Sequence, residues 1–377
     1  MKLIHTSDWH FGMPLGTGSY AEDQRYFLNQ LYELIEQENV GAVLLSGDVY
    51  DSSVANAEAI SLYNEAVTRI CLELHCPMIV IAGNHDSAAR LASCRELLKA
   101  SGLYVTGRLT RDLQPVLLDD GKVAVYSLPF FGKEEVIALF PEKKGEIRSQ
   151  ETAMLVLCDY IRETMDKGRK NIILSHALIV SAELSESDRS ARVGFATAVS
   201  KDVFAGFDYA ALGHIHKPQM ISDSVRYCGS PLKYSFGSEE SQEKGVVLID
   251  TDTMTQTFVA FPPLHERRTV TGTLAEITAR EDIREDYLKL HVTDRYAGLD
   301  LLSQLRERFP NLLELSGMAI AEGESVSALS VEELQTLDET DIMEKFMAEN
   351  FGYDLTEDQR ALFAEVLAWS REEGDLG

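Results

Sequence analysis

The chain has 377 residues, too many for one ordinary domain and suited to two or three. It is 45% hydrophobic and 25% charged, enough apolar material for a real core, and no apolar run approaches the roughly 18 residues of a membrane helix. A formal net charge of −26 speaks against a broad basic surface, the usual source of affinity for nucleic-acid backbones. Residues 1–4 run straight into the first strand, so no signal peptide is expected. Five cysteines (Cys71, Cys76, Cys94, Cys158, Cys228) lack any C-x-x-C spacing and fit reduced, mostly buried thiols in a cytoplasm.

In chain order, residues 2–5 read as a short strand. Residues 24–39 carry Phe27, Leu28, Leu31, Leu34 and Ile35 at helical spacing, and a buried strand follows at 42–45. A second helix over 56–74 carries Ile60, Tyr63, Val67, Ile70, Cys71 and Leu74. The run 78–82 is the next strand, and a third helix over 87–100 carries Leu91, Cys94, Leu97 and Leu98. Residues 116–127 form a hairpin turned by Asp119-Asp120-Gly121-Lys122. A helix over 151–167 leads to strands at 171–174 and 209–212, separated by a long polar loop, 178–199. Further strands are expected at 225–227, 246–250 and 257–261. Strands alternating with helices predict an α/β fold, with helices on both faces.

Five of these strands end in residues that bind metals. Asp8 and His10 follow the first, Asp48 the second, Asn84 the third, His176 the fourth, and His214 and His216 the fifth. In open α/β sheets, ligands gather at the carboxyl ends of strands. Seven nitrogen and oxygen donors exceed one four-coordinate zinc and suit a pair of ions. Asp48 is the expected bridge, with Asp8, His10 and His216 on one ion and Asn84, His176 and His214 on the other. Carboxylate, amide and imidazole donors without cysteine favour two Mn²⁺, with Mg²⁺ or Fe²⁺ as alternatives. His5 is expected to be a hydrogen-bonded core residue.

The order D-x-H, G-D-x-x-D, G-N-H-D, a lone His and G-H-x-H resembles the signature of the calcineurin-like metallophosphoesterases. It covers the first two-thirds of the chain, and no metal ligand departs from it. The segments His5-Thr6-Ser7-Asp8-Trp9-His10-Phe11-Gly12, Gly213-His214-Ile215-His216-Lys217-Pro218-Gln219 and Gly229-Ser230-Pro231-Leu232-Lys233-Tyr234-Ser235-Phe236 further resemble the bacterial double-strand-break nuclease subunits of that family. The resemblance implies a four-layer α/β/β/α sandwich over 1–263. It also implies a DNA-capping domain at 264–325, following the break Phe261-Pro262-Pro263-Leu264. In that family the second and third helices pair across a homodimer.

Residues 321–377 hold 16 Asp/Glu against 3 Lys/Arg, so −13 of the −26 net charge lies there. Two amphipathic helices are expected in this region, the second opened by a capping-box pattern at Thr356-Glu357-Asp358-Gln359. Apolar stripes on an acidic background suit docking onto a basic partner. The resemblance supplies that partner, a coiled-coil ATPase docked by the acidic helical tail 326–377, within a heterotetramer.

His85, beside Asn84, is expected to be the catalytic general acid. Asp51 is expected to stand behind the ligands and orient a ligand histidine, and Asp86, also behind the ligands, either to hold the His85 ring in the right tautomer or to serve a turn or helix cap. Lys217, Lys233, Arg189 and Arg192 are candidates for phosphate contact, and the 178–199 loop is expected to border the DNA path. The implied activity is a Mn²⁺-dependent DNA nuclease in the cytoplasm, acting in end processing, replication, recombination and repair. The alternative is a metallophosphoesterase for a small phosphodiester or a phosphoprotein.

Overall fold

The computed structural model describes residues 1–16, 18–188, 198–296 and 300–319, together with 356, 359 and 360. Its strands are β1 (Lys2–Thr6), β2 (Pro14–Leu15), β3 (Gly18–Ser19), β4 (Val40–Ser46), β5 (Met78–Ile81), β6 (Leu103–Thr106), β7 (Val116–Leu118), β8 (Val123–Leu128) and β9 (Lys170–His176). There follow β10 (Tyr209–Gly213), β11 (Gln219–Ser222), β12 (Val225–Tyr227), β13 (Gly245–Asp250), β14 (Thr255–Ala260), β15 (Arg267–Gly272), β16 (Tyr287–Tyr296) and β17 (Leu312–Ala319).

Two six-stranded sheets result, in the orders β14-β13-β1-β4-β5-β6 and β11-β12-β10-β9-β8-β7. The middle of each is parallel: β1, β4, β5 and β6 in one, and β8, β9, β10 and β12 in the other. Strands buried on both faces read as continuous apolar runs, and β4 shows why. Its Val43 and Leu45 pack outward, beneath the helices Ala21–Glu38 and Ala57–Val67. Its Ala42 and Leu44 face inward, against Val125, Ile172 and Leu174 of the second sheet. On the far side, Ile173 of β9 packs with Met154, Leu157 and Ile161 of the helix Gln150–Thr164. Helix, sheet, sheet and helix therefore stack in four layers, as expected.

The expected continuous helix over 87–100 is instead two short pieces, Ala88–Leu91 and Arg95–Leu98. Cys94 takes a left-handed φ of 57° between them, and Leu97 stays 75% exposed. Leu91 is buried in the core and Leu98 packs against it, but Leu97 is left uncovered, so only part of the apolar stripe has a partner to hold a continuous helix together. The second helix continues as a π-helical segment, Thr68–Glu73, which buries Ile70 and Cys71. Strands β6, β11 and β15 and the helices Lys133–Leu139 and Leu274–Thr278 are additions to the expected set.

Beyond Pro263, β15, β16 and β17 form a three-stranded sheet carrying the helix Leu274–Thr278. The hydroxyl of Tyr287 donates to the buried Asp23 carboxylate, and His265 Nδ1 lies 3.1 Å from the same group, tying this sheet to the helix Ala21–Glu38. By compactness the chain divides into Met1–Asp294 with Leu302–Gly317, and Arg295–Leu301 with Met318–Gly377. Most of the expected tail 326–377 lies outside the described residues. Within it, Gln359 N–H donates to Thr356 Oγ1 at 3.3 Å and Thr356 N–H to Gln359 Oε1 at 3.0 Å, the reciprocal bonds of a capping box. Among the described residues no helix is long and apolar enough to cross a membrane, and all five cysteines are free.

The two sheets approach closely at the carboxyl ends of β4 and β10. A Cβ placed on Gly213 would lie 1.9 Å from the Ser46 carbonyl oxygen, so only glycine fits without a backbone shift. Gly213→Ala should cost about 1–3 kcal/mol, read as a lowered midpoint in chemical denaturation at constant slope. An unchanged midpoint would show that the two edges yield freely.

Candidate metal centre

The strands β1, β4, β5, β9 and β10 end together at one edge of the sandwich, and their ends deliver the seven donors to one place. Asn84 Oδ1 lies 3.0 Å from His176 Nε2 and 2.9 Å from His214 Nδ1, and these two nitrogens are 3.3 Å apart. On the other side, His10 Nε2 and His216 Nε2 face each other at 3.1 Å. Between the groups, Asp48 Oδ2 lies 3.3 Å from His176 Nε2 and 3.8 Å from His10 Nε2. Asp8 offers a carboxylate oxygen both to the group with His10 and His216 and to the group with Asp48 and His176.

This arrangement fits divalent cations. Donors about 3 Å apart have the spacing of neighbours on one octahedral ion with bonds of about 2.1 Å. Two imidazole nitrogens aimed at each other need something positive between them, a proton or a metal. Asp8, His10, Asp48, His176 and His216 are all buried, and burying ionic groups without partners is strongly unfavourable.

The backbone is bent to make these turns. Asp8, His10, Asp48 and His214 have φ of 53°, 45°, 48° and 101°, where non-glycine residues are uncommon. Gly83 permits a close approach, since a Cβ there would lie 2.1 Å from Asp48 Oδ1. Asp8 is held by the His214 N–H at 3.0 Å, and Asp48 Oδ1 accepts the His85 N–H at 2.9 Å.

A family model for calcineurin-like phosphoesterases matches residues 1–218, and one for the type 5 capsule protein repressor C-terminal domain matches 263–351. The chain belongs to the calcineurin-like phosphoesterase family. It is 32% identical to the D subunit of the SbcCD nuclease of Staphylococcus saprophyticus over 380 residues, covering 99% of this chain and 100% of that one. The protein of the same name from Staphylococcus epidermidis is 32% identical over 354 residues, 92% of each chain. The solved structure of TT1561 from Thermus thermophilus overlaps at a TM-score of 0.40 and 14% identity, covering 69% of this chain and 98% of that one.

In this phosphoesterase the residues behind the ligands differ in part from expectation. Asp51 Oδ1 lies 3.3 Å from His10 Nδ1, an ion-pair contact rather than a well-directed hydrogen bond. Asp86 does not hold the His85 ring. It accepts N–H bonds from Val49, Tyr50 and Gly83 at 3.2, 2.9 and 2.9 Å, and so fastens the loop after β4 to the loop after β5. His5 is a core residue as expected, with Nδ1 2.9 Å from the Tyr209 hydroxyl, and burial drives its pKa down to about 3.

Sequence spacing missed the network behind His216. Ser187 Oγ is 2.7 Å from His216 Nδ1 and also donates to Glu239, which pairs with the buried Lys244 at 3.3 Å. Lys244 in turn donates to the His216 carbonyl oxygen at 2.7 Å. Asp188, whose carboxyl burial pushes up to about 7, accepts the His216 N–H at 3.0 Å. No pattern marks these residues, because Ser187 in a loop and Glu239 in the short 3₁₀ helix Ser238–Ser241 are far apart in the chain. Arg189 and Arg192 lie outside the described residues. Lys217 pairs with Glu183, and Lys233 with Glu266 at 2.7 Å, so neither stands free for a phosphate.

Two expectations follow. Burial pushes the His176 imidazole toward its neutral form, but the Asp48 carboxylate outweighs it and holds the ring protonated above the usual histidine range. A metal must displace that proton, so binding releases protons and affinity climbs as pH rises through and above neutrality. Calorimetric Mn²⁺ titrations in buffers of different ionisation enthalpy check the sign, and proton uptake would contradict it. Glu239→Gln should weaken divalent-cation binding at the group that contains His216 by roughly 10–100-fold, seen as a loss of affinity in the same titration.

Proposed function

We propose that this chain is the nuclease subunit of an SbcCD-type complex, a hydrolase acting on the ester bonds of DNA. It would work as an exonuclease on double-stranded ends and as an endonuclease on hairpins and single strands. The convergence of seven donors into two groups that meet at Asp48 carries this reading. The near-full-length match to proteins named as that subunit supports the substrate.

Asp8, His10 and His216 would hold one divalent cation, and Asn84, His176 and His214 the other, with Asp48 between them. Mn²⁺ suits the donors, and Mg²⁺ or Fe²⁺ fits them too. Bound there, such a pair lowers the pKa of a coordinated water and neutralises the scissile phosphate. His85 would protonate the leaving oxygen. Its Nδ1 donates to the Asp51 carbonyl oxygen at 2.7 Å, which fixes the ring and leaves Nε2 to carry the transferable proton. The ring stands edge-on to His10, with centroids 4.8 Å apart, so its free nitrogen stays beside the ligands.

The partner would be an SbcC-like coiled-coil ATPase, docked by the acidic segment 326–377, with residues 264–325 capping the DNA. Exposed Ile60 and Leu97 on the second and third helical segments support a homodimer formed through that face. The setting is cytoplasmic, in DNA replication, recombination and repair. With Lys217 and Lys233 already paired and a net charge of −26, the isolated chain should bind duplex weakly and depend on the ATPase for affinity.

The test is cleavage of end-labelled duplex and hairpin DNA by the purified protein with Mn²⁺, alone and with the co-purified ATPase. Cleavage only of a chromogenic small phosphodiester would favour the small-substrate alternative. His85→Ala should lower turnover by about 10²–10⁴-fold while calorimetry still counts both metals. Unchanged turnover would remove His85 from the acid role.

A further inference from the structure

Beside the Asn84, His176 and His214 group lies an open pocket of about 360 Å³, lined by Phe130, Lys133, Arg148, Gln150, His176 and His214 among others. That volume falls in the range of small-ligand sites. Phe130 is 42% exposed, although it borders a cluster of buried polar groups. Its ring lies 24° from parallel to the His214 ring at 6.4 Å between centroids, and edge-on to His176 at 6.2 Å.

This aromatic is held rather than loose. The Phe130 N–H donates to the Ala82 carbonyl oxygen at 2.8 Å, two residues before Asn84. Gln150 Nε2 donates to the next carbonyl, that of Phe131, at 2.9 Å. The backbone that carries the ring is therefore fixed to the loop before Asn84, and the ring itself lines the pocket and is part exposed. Lys133 and Arg148 border the same pocket, and neither has an acidic partner within ion-pair distance among the described residues. They contrast with Lys217 and Lys233, whose charges are already matched.

A flat apolar platform beside unpaired cations matches one ligand chemistry, an unstacked nucleobase with its flanking phosphate. We propose that Phe130 stacks a base of the substrate strand next to the scissile phosphate, and that Lys133 and Arg148 receive the neighbouring phosphate. This rests on the nuclease reading above. A base inside a duplex has no free face to offer, so the pocket favours single-stranded segments and hairpin loops. Phe130 is then a determinant of specificity and takes no part in bond breaking.

The experiment compares wild type, Phe130→Ala and Phe130→Trp in the full chain with Mn²⁺ and the co-purified ATPase. The substrates are a hairpin with 2-aminopurine in its loop and a chromogenic small phosphodiester. Phe130→Ala should raise KM for the hairpin about tenfold or more, with kcat on the small ester unchanged, and should abolish the quenching of 2-aminopurine on binding. Phe130→Trp should restore both KM and quenching. Equal hairpin KM in wild type and Phe130→Ala, with wild type cutting normally, overturns the stacking site and leaves the nuclease reading intact. A wild type that hydrolyses the small ester and no DNA overturns both.

Discussion

The Asp48 carboxylate governs the arrangement of this molecule. It is buried at the carboxyl edge of the first sheet, yet the fold surrounds it with His176, His10 and the main chain of His85. Burial favours its protonated form, and His176 outweighs that effect and holds it well below the ordinary carboxylate range. The balance is local. The nearby Asp8 is pushed upward by burial, against the pull of His176. Two neighbouring carboxylates that cannot both be comfortably ionised describe a site completed by positive charge.

That requirement explains features which look wasteful in isolation. Left-handed non-glycine residues cost roughly 1–3 kcal/mol each, and four of the seven donors adopt that conformation. Asp86 commits a buried carboxylate to three backbone N–H groups from two loops. Gly83 gives up a side chain so that Asp48 can reach its position. Each lowers local stability or flexibility, and each places a donor where regular strand geometry would not. The two sheets supply the compensation, through an apolar interface that runs from Leu3 and Leu44 to Ile172 and Leu174.

The donors are legible in the sequence because each follows a buried strand. A strand apolar on both faces is easy to recognise, and its carboxyl end is where an open sheet gathers ligands. The residues that orient those donors are not legible. Glu239 acts on His216 through Ser187, and the three come together only in the folded chain. Asp86 leaves two roles open in the sequence for a related reason. Its neighbour His85 suggests a side-chain pairing, while its real partners are main-chain groups that any sequence would supply. The third helix breaks in two because apolar spacing implies a helix only where another surface covers it. Leu97 has no such cover within one chain.

Charge adds a further constraint. Under the nuclease reading, a chain of net −26 would have to keep its useful cations out of internal ion pairs. Lys217 follows the candidate ligand His216 and Lys233 lies in the segment after Gly229, yet Glu183 and Glu266 neutralise them. Those pairs brace the loops around His216 and Gly229 and offer little to a phosphate. On that reading, attraction toward DNA would come from cations bound at the centre and from other surfaces, and the net negative charge would repel any strand not drawn to that point. At ordinary ionic strength such fields fade within about 8 Å. Repulsion of this range would leave distant duplex unaffected and would select among strands already at the mouth of the site.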